Sequence, residues 1–186
     1  MTTKSKDKDN KMDIEHCGSI IHIKDAIVCS KCPLKLYAKK NDTIIFGTGN
    51  INTDTIMILP SYDVKAKIGY NTILNIVRKV YNHIKGIELL EDYYVTRSVK
   101  CVNKTDFNLE KDAVKSCIHT ILYEIGCIKP KKVIIFDKQL YGFNFYNYNL
   151  GNFAIKTVIS PGVMYYDNQN LKDIFVKQLT EALNDS

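Results

Sequence analysis

The stretch Cys29-Ser30-Lys31-Cys32 decides the fold together with two later cysteines, Cys101 and Cys117. A Cys-x2-Cys pair offers two thiolates that bind one metal without straining the backbone. Two further thiolates complete a four-sulfur site of the kind that holds zinc or an iron–sulfur cluster. If the four sulfurs converge, they join the N-terminal segment to the end of a strand and to a helix. We therefore expect both fold and function to depend on this convergence.

Composition and charge describe a protein of ordinary size with a sizeable core. The chain has 186 residues, 45% of them hydrophobic, which suits one globular domain. The net charge of +6 favours a polyanionic partner by electrostatic steering, although a charge of this size does not identify one. No apolar run approaches the ~20 residues that a membrane-spanning helix needs, so we expect no membrane partner.

The N-terminal segment is polar. Residues 1–13 have almost nothing to bury, so we expect a disordered tail there and a single domain over residues 14–186. A basic arm that contacts DNA is the alternative. The first ten residues lack the apolar region of a signal peptide, so we expect an intracellular protein of the cytoplasm or nucleus. Thiols stay reduced there, which makes metal binding a better explanation than disulfides for clustered cysteines.

Apolar runs alternate with amphipathic stretches along the chain. This order predicts an α/β fold, a three-layer α/β/α sandwich with a mainly parallel four-stranded sheet. The predicted strands are Thr55–Leu59, Tyr93–Thr96, Lys132–Phe136 and Ala154–Ile159, and the predicted helices are Tyr70–Lys85, Asn108–Ile125 (ended by Gly126) and about Asn170–Leu183.

The carboxyl ends of these strands are where such a sheet binds ligands. In this chain the four ends are Pro60–Asp63, Arg97–Lys100, Asp137–Gln139 and Ser160–Gly162. We therefore expect the functional residues to lie in these short segments.

The cysteines by themselves leave more than one explanation open. A thioredoxin-like redox pair is disfavoured, because Pro33 follows the second cysteine of the pair and no βαβ unit begins there. A zinc ribbon needs a second Cys-x2-Cys pair, which Cys101 and Cys117 do not form. The alternative to a metal site is that Cys117 is a buried helix residue and Cys101 is incidental.

Several motifs outside the cysteines match one known family. Gly47-Thr48-Gly49 leads into the first core strand, and Thr96-Arg97-Ser98-Val99-Lys100-Cys101 corresponds to a Thr-Asn-x-x-Lys-Cys motif. Lys129-Pro130-Lys131-Lys132-Val133-Ile134 corresponds to a strand entry of the Lys-Pro-x-x-Val-Ile type. From about Cys29 to Leu183, the chain resembles the iron–sulfur uracil-DNA glycosylases, the family 4 type of that superfamily.

The resemblance implies a uracil-DNA-glycosylase-like fold and a [4Fe-4S] cluster, with zinc as the alternative metal. The cluster ligands that it implies are Cys29, Cys32, Cys101 and Cys117. Cys17 and Cys127 fall outside the family pattern, and we expect both to be ordinary thiols.

The positions that correspond to the family's catalytic motifs have changed. Ser61, in Pro60-Ser61-Tyr62-Asp63, stands where the motif Gly-Glu-x-Pro-Gly has its glutamate, and the Gly/Phe-rich segment that stacks on uracil is missing. Arg97 replaces the asparagine that reads the flipped base. Ser160-Pro161-Gly162 replaces a His-Pro-Ser-like motif whose histidine stabilises charge on the departing uracil.

These replacements bear directly on the chemistry. Cleavage of the glycosidic bond needs a positioned water and a group that stabilises the leaving uracilate. Ser160 is neutral and short, and Arg97 offers only donors where asparagine offers a donor and an acceptor. Asp63 is the one carboxylate near the first motif, so an active enzyme would use Asp63 to activate water.

We therefore expect a [4Fe-4S] protein of this fold that has lost ordinary uracil excision and is not an enzyme; if it is one, we expect a DNA glycosylase. It would bind DNA or bridge subunits in a replication, repair or transcription complex, with a virus or phage as the expected source. Met164 and Tyr165 lie where the family inserts an apolar wedge into DNA; packing under the last helix is their alternative role. The candidate DNA contacts are Ser61, Arg97, Lys100, Ser160, Met164 and Tyr165.

Two other functions stay open from the sequence. One is an active, divergent glycosylase that removes uracil or another base, with Asp63 holding the water. The other is a purely structural assembly subunit that never touches DNA.

Overall fold

Seven short strands are present in the part of the chain that the computed structural model describes, which is residue 32 and residues 45–101, 110–148 and 150–184. The expected tail and the Cys29 ligand lie outside these residues. The strands are β1 (Thr48–Gly49), β2 (Thr55–Leu59), β3 (Tyr62–Asp63), β4 (Ile68–Gly69), β5 (Tyr94–Arg97), β6 (Lys132–Ile135) and β7 (Ala154–Thr157).

Five of these strands form the central sheet, in the order β1-β5-β2-β6-β7. The pairs β2–β5, β2–β6 and β6–β7 are parallel, whereas β1 runs antiparallel to β5. The prediction of a four-stranded, mainly parallel sheet therefore needs one correction, because a fifth, antiparallel edge strand makes the sheet mixed. Gly49 allows this edge to form: its φ is 107°, and a Cβ there would lie 2.2 Å from the Tyr93 carbonyl oxygen.

Four helices occur in the described residues. They are α1 (Tyr70–Lys85), α2 (Leu89–Asp92), α3 (Glu110–Ile128) and α4 (Gln169–Asn184). The bounds of α1 match the prediction, and Gly86 ends it in the left-handed conformation with a φ of 75°. Gly126 does not end α3 as expected: the helix continues to Ile128, and Lys129 then takes a φ of 51° before Pro130.

Helices cover both faces of the sheet, which confirms the three-layer α/β/α architecture. Side chains alternate between the two faces along β2. Ile56 and Ile58 pack in an apolar cluster with α3, whereas Met57 and Leu59 pack in a second cluster with α1 and α4. Every residue of β2 is buried, as its continuous apolar run predicts. None of the helices in the described ranges is long and apolar enough to cross a membrane.

The strand order defines where this sheet can hold a ligand. From β2 the chain moves to β5 on one side and then returns across β2 to β6 on the other. The neighbouring strands whose connections leave in opposite directions are β2 and β6, and α/β sheets of this order bind ligands at that switch point, beyond the carboxyl ends. The strand order therefore predicts a ligand site beyond the carboxyl ends of β2 and β6.

Candidate functional site

Ser61 ties the end of β2 to the end of β5. Its hydroxyl donates to the carbonyl oxygen of Val99 at 3.1 Å and accepts the N–H of the same residue at 2.9 Å. The Ser61 and Ser98 hydroxyl oxygens are 3.5 Å apart. Ser61 is thus half-buried and uncharged, and its hydrogen bonds hold the loop after β5.

Arg97 ends β5 and is half-buried beside α1. Its guanidinium lies over the ring of Tyr70, 4.0 Å from the centroid, in a cation–π contact. Burial lowers the pKa of Arg97, and the negative charge that Tyr70 would carry if ionised opposes that shift. Within the described ranges no hydrogen bond or salt bridge occupies the guanidinium. Arg97 therefore presents a fixed positive charge and unused donors at the carboxyl edge of the sheet.

Asp63 is the centre of a second group of hydrogen bonds at the same edge. Its Oδ2 accepts the Ser160 hydroxyl at 2.6 Å, and its Oδ1 accepts the Tyr166 hydroxyl at 3.0 Å and the Ala66 N–H at 2.9 Å. Burial, followed by the carboxylate of Asp63, raises the pKa of Tyr166 to about 12. These bonds join the β3–β4 hairpin to the segment after β7.

This arrangement bears on the expected water activation by Asp63. The side chain is buried, with 7% of its surface exposed, and both carboxylate oxygens already accept protein donors. A general base needs a lone pair within reach of the water that it activates. Asp63 therefore joins the β3–β4 hairpin to the segment after β7, and the Ser160 hydroxyl donates its proton to the Asp63 carboxylate.

The segment after β7 is a 3-10 turn, Pro161–Tyr165, in which the side chains divide between core and surface. Val163 is buried, and Met164 packs half-buried against the α1–α4 cluster, as the alternative of packing under the last helix predicts. Tyr165 instead exposes 60% of its surface. Of the two residues expected at the DNA wedge, Tyr165 is the accessible one.

Lys100 does not reach the surface, which contradicts the prediction that its side chain contacts DNA directly. Only 1% of its surface is exposed, and its ammonium pairs with the carboxylate of Glu124 on α3 and donates to the Thr96 hydroxyl. Desolvation lowers the pKa of Lys100, and Glu124 counteracts that effect. Glu124 also accepts the Gly47 N–H at 2.8 Å and the Tyr94 hydroxyl at 3.1 Å. The lysine is part of a buried polar network.

Three of the four expected cluster ligands lie in the described residues. Cys32, Cys101 and Cys117 are all buried, belong to the same apolar cluster, and form no disulfide. The Lys100 N–H donates to the sulfur of Cys117 at 3.5 Å. Burial is the largest cause that raises the pKa of Cys117 to about 12; the Lys100 N–H opposes it, and negative charge on Cys101 or Cys32 acts in the same direction as burial.

The chemistry of these residues fits a thiolate-bound cluster. Among the described residues, no group of three or more His, Cys, Asp or Glu side chains is arranged to hold a metal ion, and Cys29 lies outside them. Buried thiols that share an apolar site and receive a backbone N–H bond are the donor set that iron–sulfur clusters use. The cluster's positive iron would offset the cost of ionising thiols in this environment.

Cys127, near the end of α3, differs from the prediction of an ordinary thiol. It is disulfide-bonded in the structure. Sequence spacing does not show which distant cysteines approach each other, so this pairing had no signal in the sequence.

Asp137 is a candidate that the sequence pattern did not single out. It follows β6 directly, is buried, and leaves its Oδ2 without a hydrogen-bond partner in the described structure. Its place in one of the four strand ends was the available signal, but carboxylates at strand ends are common, and the missing partner appears only in three dimensions.

No protein-family model matches the chain, and no curated protein matches it. The resemblance to the iron–sulfur uracil-DNA glycosylases therefore rests on the motifs alone.

Proposed function

We propose that the chain is a [4Fe-4S] protein of the uracil-DNA-glycosylase fold that binds DNA without ordinary uracil excision. It acts in the cytoplasm or nucleus as a DNA-binding or subunit-bridging component of a replication, repair or transcription complex. The motif resemblance suggests the family, and the α/β/α architecture with four parallel strands is consistent with it.

The observation that carries the DNA-binding proposal is Arg97 on the ring of Tyr70. A guanidinium fixed 4.0 Å above an aromatic ring, with no carboxylate paired to it in the described residues, has its donors available for a phosphate. It lies at the edge where sheets of this order bind ligands. Lys65, in the β3–β4 hairpin, is a second cation, 4.2 Å from the ring centroid of Tyr166.

The loss of excision follows from what replaces the catalytic groups. Ser61 and Ser160 are neutral, and both hydroxyls bond to protein groups: Ser61 to Val99 and Ser160 to Asp63. Neither can stabilise the negative charge of a departing base as a histidine would. Asp63 accepts three protein donors, so this carboxylate is not arranged to activate water.

Cys29, Cys32, Cys101 and Cys117 would hold the cluster. It would fix the segment before the sheet against the end of β5 and against α3, which places Arg97 and Ser98 at the edge. Its role in this proposal is structural.

Gel shifts with short single- and double-stranded DNA across a salt series test the proposal. Arg97→Gln should weaken binding about tenfold and make the slope of log affinity against log salt shallower by about one. Arg78→Gln is the matched control, because Arg78, within α1, pairs with Glu88 just before α2, away from the carboxyl edge. Absence of binding by the wild-type protein even at low salt would favour the purely structural assembly subunit.

Excision is tested separately with uracil-containing oligonucleotides followed by alkali. No strand cleavage is expected. Cleavage by the wild-type protein that disappears in Asp63→Asn would replace this proposal with the divergent glycosylase.

A further inference from the structure

Two surface tyrosines between β6 and β7 are stacked on phenylalanines. They lie in the 3-10 turn Phe145–Tyr148. Tyr146 stacks on Phe153 with the ring centroids 5.9 Å apart and the planes 25° apart, and Tyr148 stacks on Phe143 at 5.6 Å and 20°. Phe145 joins the two pairs, because its ring makes edge contacts with both phenylalanines.

Both tyrosines stay open to solvent although one face of each ring is covered. Tyr146 exposes 60% of its surface and Tyr148 exposes 41%. The phenylalanines beneath them, Phe153 and Phe143, pack in the apolar cluster with α3. Since one face of each tyrosine ring lies against phenylalanine, the exposed surface includes the opposite face, which carries no second ring in the described residues.

The ring of Tyr146 is also held at its polar end. Its hydroxyl donates to the Phe153 carbonyl oxygen at 3.2 Å, so ring face and hydroxyl both have partners within the chain. A side chain that is already ordered loses little conformational entropy when a ligand covers it. The two stacked pairs are therefore preformed flat surfaces that a planar ligand can cover at low cost.

The charge around these rings suits a polyanion. Residues 138–166 contain Lys138 and Lys156 and neither aspartate nor glutamate. Lys129 lines a groove with residues 150–152, which follow the turn, and Lys138 is exposed at the other end of the segment. Single-stranded nucleic acid matches both features, because its bases stack on aromatic rings and its phosphates face cations.

We propose that bases of single-stranded DNA stack on the outer faces of Tyr146 and Tyr148. The inference rests on the proposed function, because it takes DNA as the ligand, but the surface is separate from Arg97. The Tyr146 hydroxyl is anchored just before the first residue of β7, at the amino end of that strand, whereas Arg97 lies at the carboxyl end of β5. The bases of a duplex are already paired and stacked on one another, so these rings favour single strands.

Fluorescence anisotropy with a labelled single strand of about 15 nucleotides and with a duplex of the same length tests the proposal. Tyr146→Ala and Tyr148→Ala should each weaken binding to the single strand about tenfold, the size expected for one lost stack of a base on a ring, and should affect the duplex far less. The slope of log affinity against log salt should not change, because no charge is removed.

Conservative variants separate stacking from simple apolar contact. Tyr146→Phe and Tyr148→Phe keep the ring and should bind the single strand like the wild type, whereas Tyr146→Leu is apolar without a ring and should bind like Tyr146→Ala. Ile87→Ala is the matched control, since Ile87 is also an exposed apolar residue but lies between α1 and α2, and it should keep the wild-type affinity.

Both tyrosines lie at the surface, so the variants should melt like the wild type, and Tyr148→Ala tests the proposal by itself if Tyr146→Ala is unstable. Unchanged single-strand affinity in a folded alanine variant, equal losses with single strand and duplex, or a loss in the phenylalanine variants as large as in the alanine variants would overturn the inference. DNA binding that still responds to Arg97→Gln alongside any of these results would leave the proposed function standing. No DNA binding by the wild type would reject both.

Discussion

At the scale of single residues, the polar side chains of the carboxyl edge are matched with hydrogen-bond partners. Ser160 donates to Asp63, and Tyr166 donates to the same carboxylate from the next turn. Gly162 lies between them and leaves room for the carboxyl group. The edge is a set of matched polar contacts.

Gly162→Ala should destabilise the protein by about 1–3 kcal/mol, the usual range for overpacking. A Cβ at Gly162 would lie 2.1 Å from Oδ2 of Asp63 and 2.3 Å from its Cγ, and three donors hold that carboxylate in place. Urea unfolding measures the loss. Gly142→Ala is the control, since no atom lies within 4 Å of a Cβ there. Equal midpoints for the two variants would contradict the tight packing around Asp63.

The buried carboxyl of Asp137 predicts a specific pH dependence of stability. Burial raises its pKa above the ordinary value of 3.8, and the hydrogen bonds from Ser98 and Gln139 only partly oppose this. Below about pH 3.8 the group is protonated in both states and has no effect. As pH rises above that value, the unfolded chain releases the proton first, so the folded state loses stability until the raised pKa is passed.

Asp137→Asn should therefore gain stability relative to the wild type as pH rises from about 4 toward neutrality. Urea unfolding at several pH values in this window measures the difference. A difference between Asp137→Asn and the wild type that stays constant with pH would show that the carboxyl is not destabilised by burial.

At the scale of elements, the Lys100–Glu124 pair connects the loop after β5 to the middle of α3. The two side chains are each 2% exposed, so either charge alone would be buried without compensation. Glu124 also binds Gly47 before β1 and Tyr94 within β5. One carboxylate thus fixes the edge strand, an inner strand and the helix on one face of the sheet.

Lys100→Met should cost about 3–5 kcal/mol, because it leaves the Glu124 carboxylate buried and unpaired. The double variant Lys100→Met with Glu124→Gln should recover much of this, since glutamine keeps an acceptor for Gly47 and Tyr94 and carries no charge. The free energies of unfolding of the wild type, the two single variants and the double variant form the required cycle. Additive losses would show that the two side chains do not stabilise each other.

At the scale of the whole molecule, three cysteines from distant parts of the sequence belong to one apolar cluster. Cys32 precedes the sheet, Cys101 follows β5, and Cys117 lies inside α3, yet the three share one apolar cluster. A group bound by all of them would close long loops and stabilise the fold through the unfolded state.

Purified protein should be brown, with broad visible absorbance and bound iron. Cys32→Ser and Cys117→Ser should each lose most of the iron and unfold at lower denaturant concentration, because the remaining thiolates are left without their metal. Cys127→Ser, outside the expected ligand set, should retain its iron. A colourless anaerobic preparation that contains zinc would contradict the iron–sulfur assignment.

The sequence by itself determined the layers of this protein. The apolar run Thr55–Leu59 and the helical spacing of apolar residues in α1 are local patterns. The first predicts a strand that is buried on both faces, and the second predicts a helix that is buried on one face. The same order placed Ser61, Arg97 and Ser160 at one edge, because parallel strands end on the same side of a sheet. The antiparallel edge strand escaped prediction because two residues are too short for a pattern.

Only the tertiary structure decided what the polar side chains at this edge do. Lys100 pairs with Glu124, 24 positions along the chain, and Asp63 accepts from Ser160, 97 positions along the chain. The unpaired oxygen of Asp137 is likewise a property of its surroundings. Whether a charge faces solvent or a partner depends on the dielectric and the hydrogen-bonding groups around it, and those are set by residues that are distant in sequence.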